Sequence, residues 1–256
     1  MNWILKQSFS RIKKVLTILL AFPFVVALTA TTADASLFTE QSATVDTKSQ
    51  SYSPEQQHSS INHDYGLPKL VIDKAQTALV VIDLQNGIVS QPTKPYPAQD
   101  VITNATKLVN TFRKNGMLIF LVHLITTKET MLNTTSDNSS SNPVAPPPEW
   151  SEFVPEIAPT PTDIIITKKQ WGAFYGTDLE LQLRRRGINT IVLCGISTDF
   201  GVESTARFAY EYGFQQIFAE DAMTSRSEEQ HNAAVNFIFK RIGRVRNTNE
   251  ILKALQ

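Results

Sequence analysis

Short apolar runs alternate along the chain with stretches whose apolar residues recur every three or four positions. Thr77–Asp83 (TALVVID), Met117–Leu124 (MLIFLVHL), Asp163–Thr167 (DIIIT) and Ile191–Cys194 (IVLC) are nearly unbroken apolar runs. Such runs predict strands of a parallel sheet buried on both faces. Gln215–Ala219 predicts a fifth strand and Arg244–Arg246 a short sixth. Between them, Val101, Ile102, Ala105, Leu108, Val109 and Phe112 mark a helix over Ala98–Asn115, stopped by Asn115-Gly116. Thr177 or Asp178 caps a helix through Leu179, Leu181 and Leu183, and Arg184, Arg185 and Arg186 suit its negative end. Ser227 caps another through His231, Ala234, Val235 and Ile238, and Asn247–Leu255 predicts a last short one. Strands and helices in alternation indicate an α/β fold. We expect a doubly wound, mostly parallel sheet of about six strands, with helices on both faces in three layers.

The chain has 256 residues and 42% hydrophobic content, enough for one such domain with a real core. Lys+Arg and Asp+Glu both number 24, so no basic footprint for nucleic acid stands out. A single cysteine excludes an intrachain disulfide and a cysteine-built zinc site. The N-terminus reads as a signal peptide over residues 1–35. Lys6, Arg11, Lys13 and Lys14 precede an apolar run, Val15–Leu28, and Ala33-Asp34-Ala35 fits the small-x-small cleavage rule. An uncleaved membrane anchor is the alternative. Cleavage leaves a mildly acidic, exported chain, periplasmic or secreted, with no stable membrane association. Residues 36–66, rich in Ser, Thr and Gln, predict a flexible leader. His58 and His63 in it read as linker residues. The domain spans 67–256.

Chemistry concentrates at predicted strand ends. Asp83 stands at the carboxyl tip of its strand, where open α/β sheets present reactive groups; a turn cap is the plain alternative. In Thr190–Thr205 (TIVLCGISTDFGVEST), Gly195 ends a strand, Ile196–Phe200 form a tight connection and Gly201 opens a helix. That turn gathers backbone N–H groups where an anion or oxyanion could sit. His123 near a strand end reads as a packed residue. Thr126–Thr162 is too long and too Pro/Ser-rich for an ordinary connection, and reads either as a lid or as a passive insertion. Trp171 and Phe174 read as pocket wall or core, and His231 as surface or packing.

GISTDFGVESTARFAYEYGF resembles the signature of the isochorismatase-like, or cysteine hydrolase, superfamily, and VVIDLQNG resembles that family's first motif. T-K-K-Q-W-G-A-F before G-T-D-L resembles a third motif, so the resemblance covers about Leu67–Leu255. It implies a catalytic Asp83 and Lys168, with Gly201 at the position of the catalytic cysteine. It also implies a substrate pocket built from Gln85, Trp171, Phe174, Ile196, Ser197 and Phe200. A homo-oligomer is implied by resemblance alone. The zinc-binding members carry an Asp-x-His…His cluster that is absent here, so neither a metal nor another cofactor is expected.

With glycine at 201, no thioester can form there. Cys194 lies seven residues earlier in an apolar strand and should be inert. Ser197, Thr198 and Ser204 lack an obvious histidine base. Members that likewise lack the cysteine imply vinyl-ether hydrolysis, with the aspartic acid protonating an enol carbon. The expectation is therefore a hydrolase of a small molecule using Asp83 and Lys168. The alternative is a non-catalytic binding or scaffold protein, in which the two form an ordinary ion pair.

Overall fold

The computed structural model describes residues 69–132, 134–137 and 144–256. The expected signal peptide and leader lie outside the described residues. Among the described residues the strands form one six-stranded sheet in the order β3-β2-β1-β4-β5-β6. They are β1 (Thr77–Ile82), β2 (Ile119–Leu124), β3 (Ile164–Lys168), β4 (Thr190–Ile196), β5 (Gln215–Thr224) and β6 (Arg244–Arg246). Every pairing is parallel. The strand order reverses between β1 and β4, and a crevice opens at the carboxyl ends of strands at such a point.

Both faces of the sheet are covered. Successive side chains of a strand point to opposite faces, and β1 splits accordingly. Leu79 and Val81 pack with helix α2 (Ala98–Lys114) and helix α7 (Thr248–Ala254). Ala78, Val80 and Ile82 pack on the other face with α3 (Leu179–Arg185), α4 (Glu203–Glu211) and the Ala234–Phe239 turn. All six residues of β1 are buried, which accounts for its unbroken apolar run. In α2 every apolar position expected to face inward does so. Helix α1 (Asn86–Val89) follows β1 after a short turn, and α5 (Glu228–Ala233) continues through the wider turn into α6 (Lys240–Ile242).

Two strand ends differ from expectation. β4 continues through Gly195 to Ile196. Gly195 has φ of 124°, and a Cβ there would lie 2.0 Å from the carbonyl oxygen of Ile82, so only glycine lets β4 run on against β1. β5 continues past Ala219 to Thr224, with a register shift against β4. Its charged middle is tolerated because each carboxylate has partners. Asp221 accepts from the backbone N–H and the hydroxyl of Thr248, at 2.6 and 2.7 Å, and so fixes the start of α7. Glu220 accepts from the hydroxyl of Tyr96 and pairs with His231. His231 is accordingly fully buried rather than at the surface, with Nδ1 2.9 Å from the Thr198 hydroxyl.

Candidate active site

β1 delivers Asp83 to the crevice. The residue has φ of 53°, in the left-handed region that aspartate tolerates better than most side chains. Its N–H bonds to Val122 O at 2.9 Å, extending the pairing of β1 with β2 by one step. β3 delivers Lys168 from two strands away, so its aliphatic stem crosses the end of β2. Lys168 Nζ lies 2.6 Å from Asp83 Oδ2 and donates to the carbonyl of Trp171 at 2.5 Å. Asp83 is 4% exposed and Lys168 1%. The other carboxylate oxygen, Oδ1, is buried with no hydrogen-bond partner among the described residues.

Burial penalises the charged carboxylate and pushes the Asp83 pKa up to about 6, while the charge and hydrogen bond of Lys168 pull it back. The carboxyl group therefore titrates close to neutrality, in the range useful for an acid or base.

Gly201 sits against this pair. It lies in the wide turn Thr198–Val202 that leads from β4 into α4. A Cβ at 201 would be 3.0 Å from Asp83 Oδ2, 3.0 Å from Ile82 Cγ2 and 3.3 Å from Lys168 Nζ. The glycine thus lets the turn lie directly against the ion pair, where even a methyl group would be crowded. Cys194 offers no substitute nucleophile: it is fully buried in β4, and burial pushes its thiol up to about 12.

A cavity of about 480 Å³ opens over Asp83, Lys168 and Gly201. A family model, the isochorismatase domain, matches residues 77–250.

The chain belongs to the isochorismatase family.

It is 50% identical over 189 residues to the uncharacterized isochorismatase family protein YwoC of Bacillus subtilis, covering 73% of this chain and 98% of YwoC. It is also 50% identical over 187 residues to the family protein YecD of Escherichia coli O157:H7, covering 73% of this chain and all of YecD. The solved structure of an isochorismatase family protein from Burkholderia thailandensis superposes with a TM-score of 0.69 at 41% identity, over 72% of this chain and 97% of that one. The fold and the membership mark an isochorismatase-like hydrolase.

Of the residues expected in the pocket of this isochorismatase-family hydrolase, Ile196, Ser197, Phe200 and Trp171 line the cavity. Trp171 is 61% exposed, and its ring lies 4.7 Å from that of Phe200. Phe174 does not line the cavity. It packs in the core, 5.3 Å from the ring of Tyr212 and 5.9 Å from that of Phe214. Gln85 is also a correction. Fully buried, it accepts from Leu124 N at 2.7 Å and donates to the carbonyls of Leu124 and Trp150. It ties the end of β1 to that of β2.

Trp150, Ser225 and Arg226 also line the cavity and were not singled out in the sequence. Arg226 follows the tip of β5, a position that parallel-sheet geometry alone makes a candidate. Trp150 stands out only as a large aromatic in a Pro/Ser-rich stretch. Its presence in the wall brings the Pro148–Ser151 turn to the cavity. Within the turn, Asp199 accepts hydrogen bonds from the hydroxyls of Ser197 and Ser225. His123 is a packed residue: its ring stacks on Phe153 at 4.8 Å and bonds to Ser151 O and the Thr167 hydroxyl. Among the described residues, no group of three or more His, Cys, Asp or Glu could hold a metal ion.

Proposed function

We propose that this chain hydrolyses a vinyl ether of a small cyclic molecule without a protein nucleophile, with Asp83 as general acid. The observation that carries the reading is the buried carboxyl group of Asp83, poised near pH 6, facing a position that has no side chain. A thiol enzyme needs an atom at 201 to attack a carbonyl. Here position 201 carries no such atom, and the cavity beside it is left to substrate and water.

The protonated carboxyl group gives its proton to the terminal carbon of the enol ether. The carbon–carbon double bond supplies the electron pair, and an oxocarbenium ion forms. Water adds to that cation and loses a proton, which restores Asp83. The resulting hemiketal breaks its ether C–O bond, giving a ketone and an alcohol; for isochorismate these are pyruvate and a ring diol. The Asp83 carboxylate left after proton transfer stabilises the cation across a short distance. Lys168 has three N–H donors and spends two on Asp83 and Trp171 O. The third remains for an oxygen of the substrate. Arg226 at the cavity wall suits a carboxylate on the ligand. The glycine at 201 supports a reaction that uses no thiol at that position.

The test is a substrate panel. Isochorismate and a set of small amides are incubated with the protein, and pyruvate and ammonia are measured. Pyruvate without ammonia supports the reading. Ammonia from an amide would overturn it. Binding of panel members with no turnover of any would favour a protein that kept the pocket and lost the reaction.

A further inference from the structure

Gly87 seats an indole. A Cβ on Gly87 would lie 1.8 Å from Cδ1, 1.9 Å from Nε1 and 2.1 Å from Cγ of Trp150. Three nearly equal distances place that missing methyl over the face of the pyrrole ring rather than at its edge. Gly87 is in α1 with an ordinary φ, so the need for glycine here is space and not backbone conformation. The contact is reinforced from both sides. Asn86 N donates to Glu152 O at 2.9 Å, and Asn86 Nδ2 donates to Glu149 O at 3.2 Å. Gln85 Nε2 donates to Trp150 O at 3.3 Å, and Gln85 pairs with Phe153 in an antiparallel bridge. These bonds clamp the short helical turn Pro148–Ser151 onto α1.

Gly87 and Trp150 line the same cavity as Asp83 and Lys168. We propose that Trp150, seated on Gly87, is the specificity-determining wall of that cavity and selects a planar, unsaturated ring. The inference rests on the reading of this cavity as the substrate site, though not on the reaction performed there. A tryptophan ring is rigid and flat, and it favours offset-stacked or edge-to-face contact with another planar ring. A puckered saturated ring of the same size meets it through a few axial hydrogens only. Seating on Gly87 removes the freedom the indole would otherwise lose on binding.

Benzoate and cyclohexanecarboxylate share a six-membered carbon ring and a carboxylate, and differ in planarity. Their affinities for the wild-type protein, measured by titration calorimetry, should differ by about two- to ten-fold in favour of benzoate. Gly87→Ala pushes the indole off its seat, and Trp150→Leu removes it without crowding α1. Each folded variant, checked by circular dichroism, should bring the two ligands to near parity. The readout is ligand binding and not turnover, so failure of the proposed hydrolysis leaves this test intact. Equal binding in the wild type, binding of neither ring, or a preference that survives in either folded variant would overturn the assignment.

Discussion

Nζ of Lys168 lies 2.6 Å from Oδ2 of Asp83, with both side chains almost wholly out of water. Ion pairs this deep are weak contributors to stability, because desolvation cancels most of the attraction. The pair leaves Asp83 Oδ1 unpartnered, and burial outweighs the lysine in setting the carboxyl pKa. A pair whose sole task was stability would fit neither feature well.

The folded-state pKa of Asp83, about 6, lies above its ordinary 3.8. The folded protein therefore holds this proton more tightly than the unfolded chain does. The contribution to stability is fully present below pH 3.8 and is lost as pH rises through 6. Asn at 83 mimics the neutral form and does not titrate. Between pH 4 and pH 7, Asp83→Asn should gain on the wild type by about 2 kcal/mol, read from urea unfolding at several pH values. A difference independent of pH would contradict the buried, raised carboxyl group.

Lys168 pulls the Asp83 pKa down. Lys168→Met should move the alkaline limb of the activity profile from about 6 to higher pH, while lowering the maximum rate. It should also destabilise the protein at pH 8 more than at pH 5, because the unpaired carboxylate must then ionise while buried. A limb that moves to lower pH would show that the lysine is not the partner that matters.

Gly201→Cys tests the space over the pair. The new Cβ lies 3.0 Å from Asp83 Oδ2, so neighbours must give by a few tenths of an ångström. We expect a loss of about 1–3 kcal/mol in stability. The introduced thiol would lie beside the Lys168 ammonium, which favours the thiolate. Iodoacetamide should label it well ahead of Cys194, which should stay unreactive in the folded protein. Labelling of Cys194 at a comparable rate would contradict the burial given for β4.

His231→Leu removes the partner of both Thr198 and Glu220 from a fully buried site. Orphaned polar groups there should cost about 2–4 kcal/mol. The same change should increase amide hydrogen exchange in the Thr198–Val202 turn, because Thr198 opens it. Unchanged exchange would mean that the histidine does not hold the turn.

The sheet was legible because each strand is buried on both faces and so appears as an apolar run, and α2 because its apolar stripe faces one layer. The tips that carry Asp83 and Lys168 followed from those runs, whereas the parts given to Lys168 and Gly201 came from the family resemblance. The end of β5 was not legible, since Glu220 and Asp221 break its apolar pattern. Their partners Tyr96, His231 and Thr248 lie elsewhere in the chain. Phe174 and Gln85 sit close in sequence to pocket residues, and neighbourhood does not reveal which way a side chain turns. Trp150 depends on Gly87, 63 positions earlier, and no local pattern reports such a contact.

The most direct test of the account is isochorismate hydrolysis in ¹⁸O-labelled water, with the wild type beside Asp83→Asn. Proton transfer to the enol carbon predicts pyruvate together with a diol that keeps its original, unlabelled oxygen. The variant should be slower by about 10²–10⁴-fold, the range of a lost general acid. Label in the diol would place the attack at the ring carbon. That result, or equal rates for the two proteins, would contradict Asp83 as the acid of a thiol-free vinyl-ether hydrolase.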